Sequence, residues 1–365
     1  MKDIHLKIPG KLFVAGEYAV VEKGHSAIIV AVDRFIYLTI KETKNPYGEI
    51  FSKDYTEKPE QWIRRRNRFW LKKQNYRLKY IRSAIHTTER YLHEMHVPLR
   101  FFDLDIESEL KSDRNQKFGL GSSGAITVGT VRALLQFYGQ EDNDLLVYKL
   151  AVLAQINLKV NSSFGDLAAS TYQGWIKYQN FDHDFVLDRF KRIPTRDLVH
   201  TKWPSLEIKN IPLNAEFRFL VGWTGKPASS NYLVGNVQTK KEQSQEEYSN
   251  FLKESKLSVE LLAESLTKND TEGIQKALRK NRQALLEMGK ETNVMIETKE
   301  LKKLIEIAEN YRAVAKTSGA GGGDSGIAFV FEPKDLPFLV KDWHDAGIRQ
   351  LDLKVYPKVN EWRKS

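Results

Sequence analysis

The first part of the chain carries short strand patterns and one helical pattern. Residues 4–8 alternate polar and apolar positions, residues 27–32 form an apolar run typical of a buried strand, and residues 34–42 predict a further strand. Residues 102–107 alternate apolar with acidic side chains, which predicts a half-exposed strand. Between these strands, apolar residues recur every three or four positions over 76–95 and predict an amphipathic helix.

The middle of the chain predicts two more helices, a strand and a connection between domains. Apolar periodicity predicts helices over 125–138 and 145–158, and residues 174–178 predict a strand. Residues 191–215 contain three prolines, which favour an irregular segment. We therefore expect two domains, at 1–200 and 201–365.

The last part of the chain has the order strand, helices, strand, helix, strand. The predicted elements are a strand at 217–223, helices at 243–267, 271–292 and 299–311, a strand at 327–331, a helix at 336–346 and a strand at 349–355. Mixed elements in this order predict an α+β fold class.

Composition describes an ordinary globular protein. The chain has 365 residues, of which 41% are hydrophobic and 28% charged, and this length suits two domains. It has no cysteine, so disulfides and thiolate metal sites are excluded. No apolar run approaches the ~18 residues that span a bilayer, and the first residues lack the apolar core of a signal peptide. We expect a cytoplasmic protein with no membrane partner.

The net charge of +10 is concentrated in one segment. Residues 61–82, here called the basic segment, contain nine Lys or Arg and no acidic residue. The aromatic residues interleaved with them (Trp62, Phe69, Trp70, Tyr76) can stack nucleobases, as in single-strand binders. We favour instead aromatics in the core and a solvated basic face, with no nucleic-acid partner. A milder hypothesis is that the basic segment concentrates acidic ligands near the protein.

A glycine-rich loop precedes the helix predicted at 125–138. Its residues are Gly119, Leu120, Gly121, Ser122, Ser123, Gly124 and Ala125. Glycines allow close approach of backbone N–H groups, and a helix N-terminus favours anions, so the loop predicts a phosphate site. The spacing of its glycines also matches the dinucleotide-binding fingerprint. The strand at 102–107 is half acidic and does not lead directly into the loop, which argues against that alternative.

Local sequence leaves three other candidates open. Lys11 follows a Pro-Gly turn and is either a solvated lysine or a cation presented to a ligand, and Glu17 is equally ambiguous. Asp166 lies among small residues and is either a turn or N-cap aspartate or a catalytic acid. The glycine run at 319–323 is flanked by strong strand and helix patterns, so we interpret it as a tight loop facing a ligand.

Three motifs in this order resemble those of the GHMP kinase superfamily. Residues 9–18 are similar to its first motif, residues 119–125 to its phosphate loop and residues 317–326 to its third motif. Within the superfamily the chain most resembles the phosphomevalonate kinase branch found in Gram-positive bacteria. The segments that suggest this branch are 162–166, 222–230, 280–282 and 316–324.

The resemblance implies both a fold and a reaction. It implies two lobes with the active site between them, the N-terminal lobe like domain 2 of ribosomal protein S5 and the C-terminal lobe ferredoxin-like. The reaction is transfer of the γ-phosphoryl group of Mg-ATP to mevalonate 5-phosphate, giving mevalonate 5-diphosphate. The partners implied are ATP, Mg²⁺ and mevalonate 5-phosphate, and we expect a monomer or a homodimer.

The resemblance also assigns roles to residues. Lys11 and Asp166 match the catalytic pair, residues 119–125 would bind the ATP phosphates, and Ser123 would contact the magnesium ion. The residues expected to bind substrate are Lys11, Glu17, Tyr18, Ser163, Asp166, Ser229, Ser230, Arg282, Ser318, Gly319, Ala320 and Gly321.

Three positions depart from the pattern expected for the family. Phe164 and Ser325 replace residues that are often cysteine, and we expect no effect on catalysis. Gln155 stands where mevalonate kinases have a glutamate that binds magnesium. We therefore expect fewer protein ligands for the metal.

The chemistry of the acceptor decides between the alternatives. A phosphate acceptor has a last pKa of ~6 and is largely ionised at pH 7, so it needs no strong base. Lys11 should then matter more for turnover than Asp166. A mevalonate kinase would instead need a true base at Asp166 to activate an alcohol. A catalytically silent binding protein on the same fold is the third hypothesis.

Overall fold

The computed structural model describes residues 3–111, 118–160, 162–225, 230–240 and 245–358, with the backbone alone at 230–232 and 240. These residues form two sheets with helices packed on them. The strands are β1 (Ile4–Ala15), β2 (Ser26–Glu42), β3 (Gly48–Ser52), β4 (Glu60–Arg65), β5 (Arg68–Leu71), β6 (Phe102–Ser108), β7 (Trp175–Gln179), β8 (Glu207–Asn210), β9 (Arg218–Trp223), β10 (Val314–Thr317), β11 (Ser325–Val330) and β12 (Arg349–Leu351). The α-helices are α1 (Lys79–Glu94), α2 (Ser122–Phe137), α3 (Asp144–Asn157), α4 (Gly165–Tyr172), α5 (His183–Arg192), α6 (Thr195–His200), α7 (Ser230–Lys240), α8 (Gln245–Lys268), α9 (Thr271–Glu291), α10 (Lys299–Asn310) and α11 (Leu336–Asp345). Among the described residues, no helix is both long and apolar enough to cross a membrane.

The first lobe is built on an eight-stranded sheet. Its order is β5-β4-β3-β6-β2-β7-β8, and β1 also pairs with β2. The two strands predicted at 27–32 and 34–42 are one strand, β2, which corrects that prediction. The β1–β2 register shifts between Pro9 and Gly10, opposite Asp33 and Arg34, so these two polar residues form an irregularity within a continuous strand.

Helices α1 to α4 cover this sheet and form the main core. α2 contacts β1, β2, α1 and α3, and almost all of its residues are buried. Because α2 runs through the core, its first turn is held rigidly at the end of the glycine-rich loop.

The second lobe is built on a four-stranded antiparallel sheet in the order β10-β11-β9-β12. The chain order is β9, helices, β10, β11, α11, β12, which is the β-α-β-β-α-β arrangement of ferredoxin-like domains. The predicted α+β class and the ferredoxin-like second lobe are confirmed.

The C-terminal segment returns to the first lobe. The strand predicted at 349–355 ends as β12 at Leu351, which corrects its length. Val355 then forms a bridge to Val32, and Tyr356 N–H donates to the carbonyl of Ala31 at 2.9 Å. The lobes are thus joined by two crossings of the chain.

The segment predicted to be irregular, 191–215, contains regular structure. It includes α6 and β8, and β8 pairs with β7 in the first sheet. Pro194 is the N-cap of α6, and Pro204 and Pro212 lie between elements, so the prolines mark element ends and do not interrupt them. The division of domains between residues 200 and 201 stays a prediction.

The basic segment forms the β4–β5 hairpin and the start of α1. Trp62 and Phe69 are fully buried, whereas Trp70 and Tyr76 are 47% and 74% exposed. Arg64 is withdrawn from the basic face because its guanidinium binds Glu89 on α1 at 2.6 and 3.0 Å. Two of the four aromatic side chains therefore belong to the core, and two lie on the surface.

Candidate active site

A cavity of about 370 Å³ lies between the lobes and collects most of the predicted site residues. The predicted residues that line it are Lys11, Glu17, Tyr18, Gly119, Leu120, Gly121, Ser122, Ser123, Ser163, Asp166, Gly319 and Ala320. Residues from β1, from the glycine-rich loop, from the start of α4 and from the loop between β10 and β11 therefore face one space.

The N-terminus of α2 is open toward this cavity. Gly121 is its N-cap in a left-handed conformation (φ 78°, ψ 34°), and no side chain caps the helix. A Cβ on Gly121 would lie 2.9 Å from Cε of Lys11, so glycine is required both for the turn and for the lysine. Uncapped amides and the positive end of the helix dipole make this turn suited to a phosphate group.

Lys11 lies against the glycine-rich loop. Its Nζ donates to the carbonyl of Gly119 at 3.1 Å, and its backbone N–H donates to the carbonyl of Leu120 at 2.9 Å. Nζ lies 5.3 Å from the centroid of the Phe13 ring. The strand β1 thus places this ammonium group beside the first turn of α2.

The charge of Lys11 is set by burial and by three carboxylates. Burial lowers its pKa, and the negative charges of Asp166, Asp324 and Glu17 oppose that shift. Loss of any of these carboxylates would weaken the hold on the ammonium proton.

Asp166 lies in the first turn of α4. It is not the N-cap, because that position belongs to Phe164 in a left-handed conformation (φ 56°). Burial raises the pKa of Asp166, and the charge of Lys11 opposes this. A Cβ on Gly124 would lie 2.5 Å from Oδ2 of Asp166, so the carboxylate packs against the first turn of α2.

The loop between β10 and β11 also contributes to the wall of the cavity. Ser318 Oγ donates to the carbonyl of Phe13 at 2.8 Å, and Tyr18 Oη donates to the carbonyl of Ala320 at 2.6 Å. Gly321 has φ 73°, and a Cβ there would lie 2.3 Å from the carbonyl oxygen of Ile296. Glycine at position 321 therefore allows this loop to pack closely against Ile296, in the connection between α9 and α10.

The sequence interpretation did not include Asp324 among the site residues. Asp324 lines the cavity, and its carboxylate lies beside Gly119, where an added Cβ would be 3.0 Å from Oδ2. One sequence feature could have indicated this residue, because Asp324 is the acidic residue directly after the glycine run.

Several predicted residues do not reach the cavity surface. Gly124, Ala125, Ser318 and Gly321 lie behind its wall and support the loops that form it. Ser229 lies outside the described residues, and Ser230 is described by its backbone alone at the start of α7.

Arg282 is also not brought to the cavity. Its guanidinium binds both oxygens of Glu297, at 2.7 and 3.0 Å, and Oε1 of Glu309 at 3.1 Å. Two carboxylates therefore occupy the donors that were expected to hold the acidic substrate.

Glu17 lines the cavity, but its carboxylate is already bound. Its Oε1 lies 2.5 Å from Nζ of Lys316, and both side chains are almost fully buried. Lys316 carried no role in the sequence interpretation, because nothing in the local pattern links β10 to the loop after β1.

The oxygen donors of the cavity fit a magnesium ion held mainly by its nucleotide. Ser123 and Gln155 line the cavity, and within the described ranges no group of three His, Cys, Asp or Glu residues forms a metal cage. Magnesium typically keeps one or two protein ligands and takes the others from phosphates and water. The cavity is therefore suited to an ion that takes few ligands from the described residues.

Two family models match the chain. They are the GHMP kinases N terminal domain, over residues 79–174, and GHMP kinases C terminal, over residues 262–349. The first match includes the glycine-rich loop and Asp166, and the second includes the loop between β10 and β11.

Individual relatives match over nearly the full length. A phosphomevalonate kinase from Streptomyces sp. is 36% identical over 94% of this chain and 95% of its own. A mevalonate kinase from Methanocaldococcus jannaschii is 26% identical over 96% of this chain and 99% of its own. The structure of Streptococcus pneumoniae phosphomevalonate kinase in complex with phosphomevalonate and AMPPNP matches with a TM-score of 0.86 and 30% identity, over 96% of this chain and 99% of that one.

Proposed function

The chain belongs to the GHMP kinases, in the phosphomevalonate kinase family, and from this premise we propose that it phosphorylates mevalonate 5-phosphate with ATP. The product is mevalonate 5-diphosphate, an intermediate of isoprenoid synthesis. The observation that carries the proposal is the placement of Lys11 and Asp166 against the uncapped first turn of α2, inside one interlobe cavity.

The phosphates of ATP are proposed to bind the glycine-rich loop at 119–125. The amides of the first turn of α2 have no side-chain cap and can donate to phosphate oxygens. Magnesium would neutralise charge on the β- and γ-phosphates, and the hydroxyl of Ser123 would be its protein ligand. The amide oxygen of Gln155 is a weaker ligand than a carboxylate, which supports a metal with few protein contacts.

The acceptor is proposed to lie between Lys11 and the loop at 318–321. An oxygen of its 5-phosphate attacks the γ-phosphorus, and the bond from that phosphorus to the β,γ-bridging oxygen breaks, leaving ADP. Because the attacking oxygen is already ionised at pH 7, no proton has to leave it. Lys11 stabilises the negative charge that shifts during transfer, and Asp166 orients Lys11 and the acceptor. Tyr18, Ser163, Ser229 and Ser230 remain proposed contacts of the acceptor.

The test is a coupled assay of ADP release with mevalonate and with mevalonate 5-phosphate. We expect turnover with the 5-phosphate and none above background with mevalonate. Turnover with mevalonate alone would identify a mevalonate kinase, and no turnover with either would support a silent binding protein. The parent protein assayed without an acceptor gives the background of ATP hydrolysis.

The setting of the enzyme is also part of the proposal. A cytoplasmic location is proposed because ATP and phosphorylated metabolites are available there. We propose a monomer or a homodimer, which light scattering after size exclusion would distinguish. No nucleic-acid partner is proposed, and retention of an oligonucleotide at physiological salt would contradict this.

A further inference from the structure

A buried ion pair joins the two lobes at the wall of the cavity. Glu17 follows β1 in the first lobe, and its Oε1 lies 2.5 Å from Nζ of Lys316 on β10 in the second lobe. The side chains of Glu17 and Lys316 are 2% and 0% exposed. Nζ of Lys316 also donates to the carbonyl of Thr317 at 2.7 Å. The pair is therefore withdrawn from solvent and well hydrogen-bonded.

Asn281 on α9 occupies the other oxygen of Glu17. This side chain is fully buried. In the amide orientation that satisfies both of its neighbours, its nitrogen donates to Oε2 of Glu17 at 3.1 Å. The amide oxygen accepts from the backbone N–H of Gly16 at 3.2 Å. Both oxygens of Glu17 are bound by groups of the second lobe, so this carboxylate is not available for a substrate, and its charge would repel an anionic one.

The backbone that carries Glu17 is an unusual corner. Gly16 has φ 87°, and a Cβ there would lie 2.3 Å from the carbonyl oxygen of Ser26. Tyr18 also has positive φ, at 60°. Glycine adopts a positive φ freely, but the positive φ of Tyr18 is costly for a residue with a side chain and persists where surrounding contacts hold it.

The same corner is tied to the loop at 318–321. The hydroxyl of Tyr18 donates to the carbonyl of Ala320, and the hydroxyl of Ser318 donates to the carbonyl of Phe13 at the end of β1. Gly319 and Ala320 line the same cavity as Lys11 and Asp166. The position of the loop relative to the catalytic pair thus depends on how the corner is held.

We infer that Glu17, Lys316 and Asn281 form an interlobe latch that sets the position of the 318–321 loop relative to Lys11 and Asp166. Glu17 is then a positioning residue, which replaces the expectation that it binds substrate. The inference rests on the proposed function, because the loop is the proposed wall of the acceptor site.

Neutralising one member of the Glu17–Lys316 pair and neutralising both have different consequences for stability. A single neutral variant leaves the other charge buried without its counter-ion, which strongly destabilises a folded protein. The double variant Glu17→Gln with Lys316→Met has no buried charge at this place, so much of the stability should return. It still lacks the hydrogen bond between β10 and the corner, so the loop should remain misplaced.

The experiment compares Glu17→Gln, Lys316→Met and the double variant with the parent protein. The readouts are Tm, the Kd for ATP, and the kcat and KM for mevalonate 5-phosphate. Each single variant should lower Tm and lower kcat/KM for the acceptor roughly tenfold or more, since small misplacements of reacting groups are costly. The double variant should regain most of the Tm but not kcat/KM. The Kd for ATP should stay within about threefold throughout, because the glycine-rich loop belongs to the first lobe.

A matched control is the Lys177–Glu260 pair, which joins β7 to α8 at 2.6 Å and is partly exposed (23% and 52%). Lys177→Met should leave Tm near the parent value and change the Kd, kcat and KM by less than about twofold, because exposed ion pairs contribute little.

Three outcomes would overturn the inference. Recovery of kcat/KM together with Tm in the double variant would make the pair a stabilising contact only. Single variants with parental kcat/KM would remove any positioning role, and a loss of ATP affinity as large as the loss for the acceptor would place the effect at the nucleotide site.

If a single variant fails to fold, the double variant still tests the inference. Absence of turnover of mevalonate 5-phosphate by the parent protein would reject the proposed function. If the parent is fully active and the double variant recovers kcat/KM, only the interlobe latch is rejected.

Discussion

At the scale of single residues, the site is organised around Lys11 and Asp166, whose pKa values are shifted in opposite directions by burial. Burial lowers the pKa of Lys11 and raises the pKa of Asp166, and each charge opposes the shift of the other. Such a pair is stable when both members are ionised together. For an acceptor that is already ionised, the cation does more of the chemistry than the carboxylate.

The first prediction separates these two roles. Lys11→Ala should lower kcat roughly 100-fold or more, because charge stabilisation in the transferring phosphoryl group is lost. Asp166→Asn keeps the shape of the side chain and should cost about tenfold. The measurement is turnover with both substrates saturating, and Lys7→Ala, an exposed lysine of the same strand, is the control. A larger loss for Asp166→Asn would contradict this division of labour and indicate a general base.

The second prediction concerns the contact between α2 and Asp166. In Gly124→Ala the new Cβ would lie 2.5 Å from Oδ2 and 2.8 Å from Cγ of Asp166, so the carboxylate must move. We expect kcat to fall on the order of tenfold with a nearly unchanged Tm. Gly129→Ala, one and a half turns further along α2, would instead crowd Leu38 in the core at 2.4 Å. That control should lower Tm and leave kcat near the parent value, and equal effects on kcat would refute the prediction.

Single residues also show what the sequence alone can and cannot reveal. Residues 119–123 carry a local signal in their glycine spacing, whereas the local sequence around Lys11 left its role open and only the family resemblance assigned one. The partner of Glu17 is 299 positions away in sequence, and no local pattern indicates it. Asn281 and Arg282 are neighbours on α9, yet one residue turns a helix by about 100°, so Asn281 meets Glu17 while Arg282 meets Glu297.

At the scale of elements, strong periodicity was a reliable guide and short polar strands were not. The predicted helix at 145–158 is α3, and the predicted strands at 174–178 and 217–223 are β7 and β9. The strands β4 and β5 were missed, because arginines occupy several of their positions and hide the alternation. Their inward residues, Trp62 and Phe69, pack on each other at 5.0 Å between ring centroids.

The third prediction concerns how the β4–β5 hairpin is attached to α1. Arg64 and Glu89 form a bidentate pair whose side chains are only 10% and 5% exposed. Arg64→Met leaves Glu89 buried without its cation, which should destabilise the protein by about 3–5 kcal/mol at pH 7.5. The variant should therefore show a lower Tm, whereas Arg68→Met, exposed in the same hairpin, should not.

The pH dependence of this defect has a defined sign. Burial raises the pKa of Glu89, and Arg64 opposes that rise, so the folded-state pKa is higher still in the variant. Between the unfolded and the folded pKa, the folded state binds more protons, and stability increases as pH falls through that window. The Tm difference between Arg64→Met and the parent should be smaller at pH 5.5 than at pH 7.5. An equal difference at both values would mean that the loss comes from packing and not from the unpaired carboxylate.

At the scale of the whole molecule, the two lobes share one cavity and carry charge unevenly. The exposed residues of the basic segment lie at the β4–β5 hairpin and the start of α1, and Tyr80 on α1 lines the cavity. Both proposed substrates are multiply charged anions. A basic surface near the cavity can raise the local concentration of such anions without touching them once they are bound.

The fourth prediction tests this role of the basic segment. Reversing three exposed charges, Arg66→Glu, Arg68→Glu and Lys73→Glu, should raise the KM for ATP and for mevalonate 5-phosphate severalfold at low salt and leave kcat unchanged. The reason is that steering acts on encounter and not on the bound complex. At 0.5 M salt, where screening extends over only a few ångströms, the two proteins should have similar KM values.

The control for this prediction matches the change in net charge. Lys299→Glu, Lys303→Glu and Lys334→Glu reverse three exposed charges of the second lobe. If they raise the KM values as much as the first set, net charge alone explains the effect and the basic segment has no special position. If neither set changes KM, the basic segment does not serve the proposed reaction. Its exposed Trp70 and Tyr76 would then favour the interpretation that this surface binds another anionic partner.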